Sequence, residues 1–338
     1  MSGKKLVWNR GVAVAKKQSS PTSTPSPTST PSPTPTPSPT PTTRNIVTDA
    51  TKYIQQIINQ TNLNYSAPVP TVDIQIQPGL NGNYLPFATR AIKDSNAWFY
   101  SLGFRNSQPR IDYLFGRTIK WLESKIDEVA PGCRANALRH DPNWYPGGSG
   151  SLCAESWRGG VYSHIINAVG RGAYPDEVSI NMDVSKFALD RHAWHMFPHE
   201  TFHNWQGSIC SACYQLPNWM LEGGAQLFTY MLWSKLESSP NAYLDFDAEE
   251  VAWPRDLCKN PLSGPLTRNA APVGCDYSKG MVAMEFFIYK FGIEGYKKLW
   301  SQIQPGDVNT EFLRLLGTSY IDFNKQLGDY LELKGWGR

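Results

Sequence analysis

Some of what this chain has little of narrows what it can be. Neither apolar run near its start, Lys4-Lys5-Leu6-Val7-Trp8 or Val12-Ala13-Val14-Ala15-Lys16-Lys17, is long enough for a signal-peptide core or a membrane span. No export signal is therefore visible in the chain as it stands. An excess of one charge is also missing. The formal net charge is +3, from 32 Lys and Arg against 29 Asp and Glu, and it is not clustered. Nothing in it argues for a nucleic-acid surface, while an acidic substrate stays open. Histidine is scarce, at six residues in 338. A chain of this composition would contain His-Glu-x-x-His by chance on the order of once in a few hundred chains.

That pattern is present as His199-Glu200-Thr201-Phe202-His203. Residues four apart on a helix share a face, one turn above the other, so two imidazoles there can reach one metal ion. Glu200 points to the side of that face, where it can contact a metal-bound water without ligating the metal. Catalytic zinc takes three protein ligands and leaves a fourth position for water. Glu222, in Trp219-Met220-Leu221-Glu222-Gly223-Gly224-Ala225, can supply the third ligand from a second helix, with eighteen residues between it and His203. The competing reading is a pair of helix-surface histidines with an unrelated Glu. A Glu followed by Gly and Ala on its own helix-like segment tells against it.

His199-Glu200-x-x-His203, eighteen residues and then Glu222 resembles the gluzincin metallopeptidases, most of all the aminopeptidase N type. Tyr277-Ser278-Lys279-Gly280 resembles that family's Tyr-x-Lys-Gly segment, which likewise opens a helix downstream of the third ligand. The resemblance spans roughly residues 190 to 300. It implies that His199, His203 and Glu222 hold one zinc ion, that Glu200 is the general base, and that the Tyr277 hydroxyl helps stabilise the tetrahedral intermediate. It also implies a cleft lined by a sheet-edge strand that pairs with extended substrate; residues 177 to 182 occupy the corresponding place. Two departures stand out. The family's Gly-x-Met-Glu-Asn segment is absent upstream of His199, and Leu221 replaces the Asn often found before the third ligand. Endopeptidase and aminopeptidase action therefore both stay open, with Glu177 a positional candidate for anchoring a substrate ammonium.

The rest of the chain divides into a short remnant (1–18), a Pro/Thr/Ser tract (19–43) and a catalytic domain (44–338). The tract cannot bury a core and reads as an extended tether of the kind that holds an extracellular domain away from a wall or surface; a tail with no role is the alternative. A linker joins two things, so the chain is expected to start inside a longer secreted protein, or its gene start to be misplaced. Apolar spacing predicts helices at 45–61, 84–103 and 118–129 and strands at 72–76, 110–115, 160–166 and 177–182. Beyond these it predicts helices at about 218–236, 278–291, 293–303, 308–316 and 320–333. Strands mixed with helices, then helices alone, predict an α+β zincin-like domain. Its mixed sheet/helix half would be 44–190 and its all-helical half 191–338, with the active-site cleft between them.

The six cysteines fall into three sequence-near pairs, Cys133–Cys153, Cys210–Cys213 and Cys258–Cys275, read as disulfides of an oxidising compartment. Cys210-x-x-Cys213 as a redox or second metal site is the competing reading. Cys258–Cys275 would brace the loop that delivers Tyr277. Gln226, one turn after Glu222, can hydrogen-bond a ligand or lie on a helix surface. His195 is expected to cap or pack near a helix start disturbed by Pro198. The function that follows is a secreted or surface-tethered zinc peptidase acting on peptide or protein substrates, with no nucleic-acid partner. A catalytically silent zincin-like adhesion domain and a zinc hydrolase of a non-peptide amide, such as a cell-wall link, are the rivals.

Overall fold

The computed structural model describes residues 45–69, 71–79, 84–105, 110–115, 119–129, 162–164, 191–237 and 274–337, with isolated positions between them. Within these the chain forms α1 (Asn45–Gln60), β1 (Thr71–Ile76), α2 (Tyr84–Ser101), β2 (Arg110–Phe115), α3 (Ile119–Val129) and β3 (Tyr162–His164). Then follow α4 (Arg191–Ile209), a 3-10 turn (Cys213–Gln215), α5 (Asn218–Glu237), α6 (Gly274–Gln302), α7 (Val308–Leu316) and α8 (Tyr320–Leu333). Residues 41–338 form one contact unit. The expected remnant and tether, the strand at 177–182 and the Cys133–Cys153 pair all lie outside the described residues.

The predicted α+β class with a mixed sheet half is not what forms. The described residues are predominantly helical, and their strands are three short segments paired in parallel in the order β1–β2–β3. The reason lies in where the apolar side chains are buried. Among the side chains described, the strands add Leu114 to the fully buried core, while β1 is only half-buried along its length. The remaining core comes almost wholly from helix faces. Strands are present where they were expected at 72–76 and 110–115, and at 162–164 within the expected 160–166, but described strands of six, six and three residues are too small to form one half of the domain.

The centre is α5. Sixteen of its twenty residues are buried, so it must be surrounded. It packs against α4 on one side and α6 on the other, with α1 also against it. α2 supports α4 from behind, where Trp205 Nε1 donates to Asn96 Oδ1 at 3.0 Å, a buried bond between two helices. The α4–α5 connection is tied to the far end of α6: Ser211 donates from its backbone N–H to the Trp300 carbonyl (3.1 Å) and from Oγ to the Ile303 carbonyl (2.6 Å).

α6 is broken at Gly292, whose φ of 69° is open to glycine and strained for other residues. This is the boundary expected between helices 278–291 and 293–303. α7 and α8 end and begin where their caps dictate. Asp307 accepts from the N–H groups of Asn309 and Thr310, Gly317 closes α7 in the left-handed conformation, and Ser319 accepts from the Asp322 N–H. Just beyond α8, Lys334 reaches back to Glu285 of α6 at 3.1 Å, and Thr51 of α1 donates to the same carboxylate at 2.7 Å.

Candidate metal centre

α4 runs unbroken through Pro198. Proline has no N–H to give the carbonyl four residues back, yet the helix continues, so the expected disturbance there does not materialise. Past Pro198 the helix has two faces. Phe202 and Trp205 turn inward, with ring centroids 4.9 and 6.3 Å from Phe99, and Phe202 lies 4.6 Å from Phe228 of α5. This aromatic packing fixes the rotation of α4 and so aims His199 and His203 at α5. Their rings stand nearly perpendicular, at 87° with centroids 4.7 Å apart.

Three ligand-type atoms converge. His199 Nε2 and His203 Nε2 are 3.1 Å apart, and Glu222 Oε2 lies 3.1 Å from the first and 3.3 Å from the second. The outer nitrogen of each ring is already engaged. His199 Nδ1 donates to Gln226 Oε1 at 2.7 Å, and His203 Nδ1 donates to Gln206 Oε1 at 2.6 Å. An amide oxygen only accepts, so in the neutral rings the proton is on Nδ1 and the lone pair is on Nε2. Two imidazole lone pairs and a carboxylate oxygen thus face one another in a buried pocket, an arrangement satisfied by a cation between them. His199, Glu200 and His203 likewise bring a ligand atom each within 4.8 Å of one another, a group that can hold a metal ion. The identity of the ion is a separate question.

The electrostatics point the same way. Burial pulls the His203 imidazole down, but the Glu222 carboxylate beside it outweighs burial and raises it to about 9. Burial would raise Glu222, yet the two histidines hold it far below the usual carboxylate range. The field at this point attracts positive charge. Tyr277 is pushed well up, first by burial and then by the charges of Glu222 and Glu200, so its hydroxyl stays protonated. Its ring stacks on His199 with centroids 5.7 Å apart.

Glu222 and Tyr277 are brought together by a contact between glycines. α5 and α6 cross where Gly223 meets Gly280. A methyl group on Gly223 would overlap the Gly280 carbonyl and lie 2.8 Å from its Cα. Only a bare backbone allows this approach. Glu222 precedes one glycine directly, and Tyr277 lies about one turn before the other. The start of α6 is pinned again by the Cys258–Cys275 disulfide (Cα–Cα 5.3 Å), and buried Lys279 donates to the Cys258 carbonyl at 3.3 Å. The expected brace near Tyr277 is therefore present. Cys210 and Cys213 also form a disulfide, at the end of α4.

The structure thus brings together His199, Glu200, His203, Glu222 and Tyr277, and Gln226 is buried against His199 instead of lying on a surface. Glu177 lies outside the described residues, as does the side chain of His195. Gln206 was missed. Its signal was a position three residues after His203, on the same helix face. No family model, curated protein or solved structure matches this chain.

Proposed function

We propose that this chain is a zinc peptidase of the gluzincin type, with His199, His203 and Glu222 as ligands, Glu200 as general base and Tyr277 as oxyanion donor. The observation that carries the reading is the triangle of Nε2, Nε2 and Oε2 with edges of 3.1, 3.1 and 3.3 Å. Tetrahedral zinc holds such ligands at about 2.0–2.1 Å, which puts them about 3.3 Å apart. Three protein ligands leave one position open, as catalytic sites require. Zinc bound there supplies an acidified water and polarises the scissile carbonyl. Glu200, next to His199 and close to both imidazoles, takes the proton from the attacking water and returns it to the leaving amine. The Tyr277 hydroxyl donates to the oxyanion as it develops. A silent binding domain has no use for Glu200 beside such a triangle, which favours the enzyme.

The two described disulfides support an oxidising, extracellular setting. In that setting the Pro/Thr/Ser tract would serve as the tether to a wall or surface.

The test uses the full chain with disulfides intact. Bound zinc is quantified, and a mixed peptide library is digested with the wild type and with Glu200→Gln. The expected result is one zinc per chain in both, with cleavage in the wild type lost by about 10²- to 10⁴-fold in the variant. A wild-type chain that binds no zinc overturns the reading. Zinc without peptide cleavage moves the substrate to a non-peptide amide. Peptides with blocked and free amino termini separate endopeptidase from aminopeptidase action.

A further inference from the structure

The two histidines are supported differently. Gln226 makes its contact with His199 from α5 itself. Gln206 does more. Its Nε2 donates to the Leu221 carbonyl at 2.9 Å and to the Tyr296 hydroxyl at 2.7 Å, while its Oε1 accepts from His203 Nδ1 at 2.6 Å. Both N–H groups and the oxygen are used. The Leu221 carbonyl can only accept, so the amide cannot be flipped without setting oxygen against oxygen. The orientation of Gln206, and through it the tautomer of His203, is dictated by the backbone next to Glu222.

Tyr296 is equally constrained. It is buried, and its ring lies within 6.1 Å of the rings of Phe104, Phe202, Phe228, Phe287 and Trp300. It presents its hydroxyl to Gln206. Gly224 makes room for this pair. A methyl group on Gly224 would lie 2.8 Å from the Tyr296 hydroxyl oxygen and 3.2 Å from Gln206 Nε2. The second glycine of Glu222-Gly223-Gly224 thus has a different partner from the first.

We propose that Gln206 is a positioning residue that sets two metal ligands at once, His203 through its ring N–H and Glu222 through the carbonyl of Leu221. Tyr296 anchors it, and Gly224 is glycine to admit the anchored pair. This rests on the metal-binding part of the reading above. Partners of this kind orient a ligand and raise its basicity, and losing one typically lowers metal affinity 10- to 100-fold.

The test measures zinc affinity by chelator competition and, after cobalt substitution, the visible spectrum, which reports the geometry around the ion. Gln206→Met should weaken zinc binding 10- to 100-fold and change the cobalt spectrum. Gly224→Ala, which touches no ligand, should also weaken it. Tyr296→Phe keeps the bonds to His203 and Leu221 and should change it least. Adding Tyr296→Phe to Gly224→Ala removes the oxygen the new methyl group strikes and should recover affinity towards that of Tyr296→Phe alone. Wild-type affinity and spectrum in folded Gln206→Met overturn the proposal and leave the zinc reading intact. A wild-type chain that binds no zinc overturns both. If Gln206→Met does not fold, the Gly224→Ala pair decides: recovery in the double variant supports the coupling, and its absence overturns it.

Discussion

The segment from residue 45 to 129 and the helices from 191 to 302 place similar side chains to different effect. In the first, α2 and β1 flank a cavity of about 390 Å³. Tyr65, Val69 and Leu85 at its walls remain 49%, 42% and 43% exposed. Beside this cavity a half-exposed cation and a half-exposed phenol share one carboxylate: the Tyr65 hydroxyl donates to Asp94 (2.8 Å) and Arg90 donates to the same group (2.7 Å). In the second, two glycines take up the closest helix approaches, and a buried amide has every polar atom engaged. The difference lies in how many acceptable arrangements remain. A half-open apolar wall can repack around a change. A bare-backbone crossing with a fully bonded glutamine beside it has no second solution, and the proposed metal ligands sit there.

Substitutions can break that contrast, and the largest effect is expected at the crossing. Gly223→Ala should destabilise the chain by about 3 kcal/mol or more, at the top of the range for overpacking, because the new methyl group overlaps the Gly280 backbone, which cannot rotate away as a side chain could. A methyl group on Gly280 would meet the Trp219 carbonyl oxygen at 3.1 Å, Trp219 Cβ at 3.2 Å and Gly223 Cα at 3.3 Å, tight without overlap, so Gly280→Ala should cost about 1 kcal/mol. Denaturant unfolding of the full chain measures both, and equal costs would remove the crossing from the account. Next comes Tyr277→Phe, which deletes one hydroxyl and no packing. Turnover should fall about 100-fold with zinc content unchanged, and full activity would mean that this hydroxyl is not a donor in the reaction. The smallest effect belongs to the first region. Leu85→Ser should move stability by no more than about 0.5 kcal/mol and leave metal affinity alone. A loss of metal in that variant would show the two regions to be coupled and the contrast false.

What could be read from the sequence follows the same division. Helices 308–316 and 320–333 were legible because caps and apolar spacing are local, and the break at Gly292 was visible as one glycine between two periodic runs. The convergence of His199, Glu200, His203 and Glu222 was legible because a metal site of the proposed kind would demand residue types at fixed helical spacing. The fold class was misread. Alternating runs at 72–76 and 110–115 do form strands, but alternation says nothing about how much of the core they carry. Gln206 and Tyr296 were not legible as partners, because their hydrogen bond spans ninety residues and exists only once α4 and α6 have both docked.

The contact between Gly223 and Gly280 also bears on the order of events as the chain folds. Two backbones that touch directly have one axial register; a slip by one turn, about 5.4 Å, would drive side chains into the space the glycines leave. Glu222 therefore cannot approach Tyr277 gradually as α5 and α6 slide past each other. That side of the site should close in a single docking step. During refolding, the approach of Tyr277 to Glu222 should then keep time with that docking and serve as its clock.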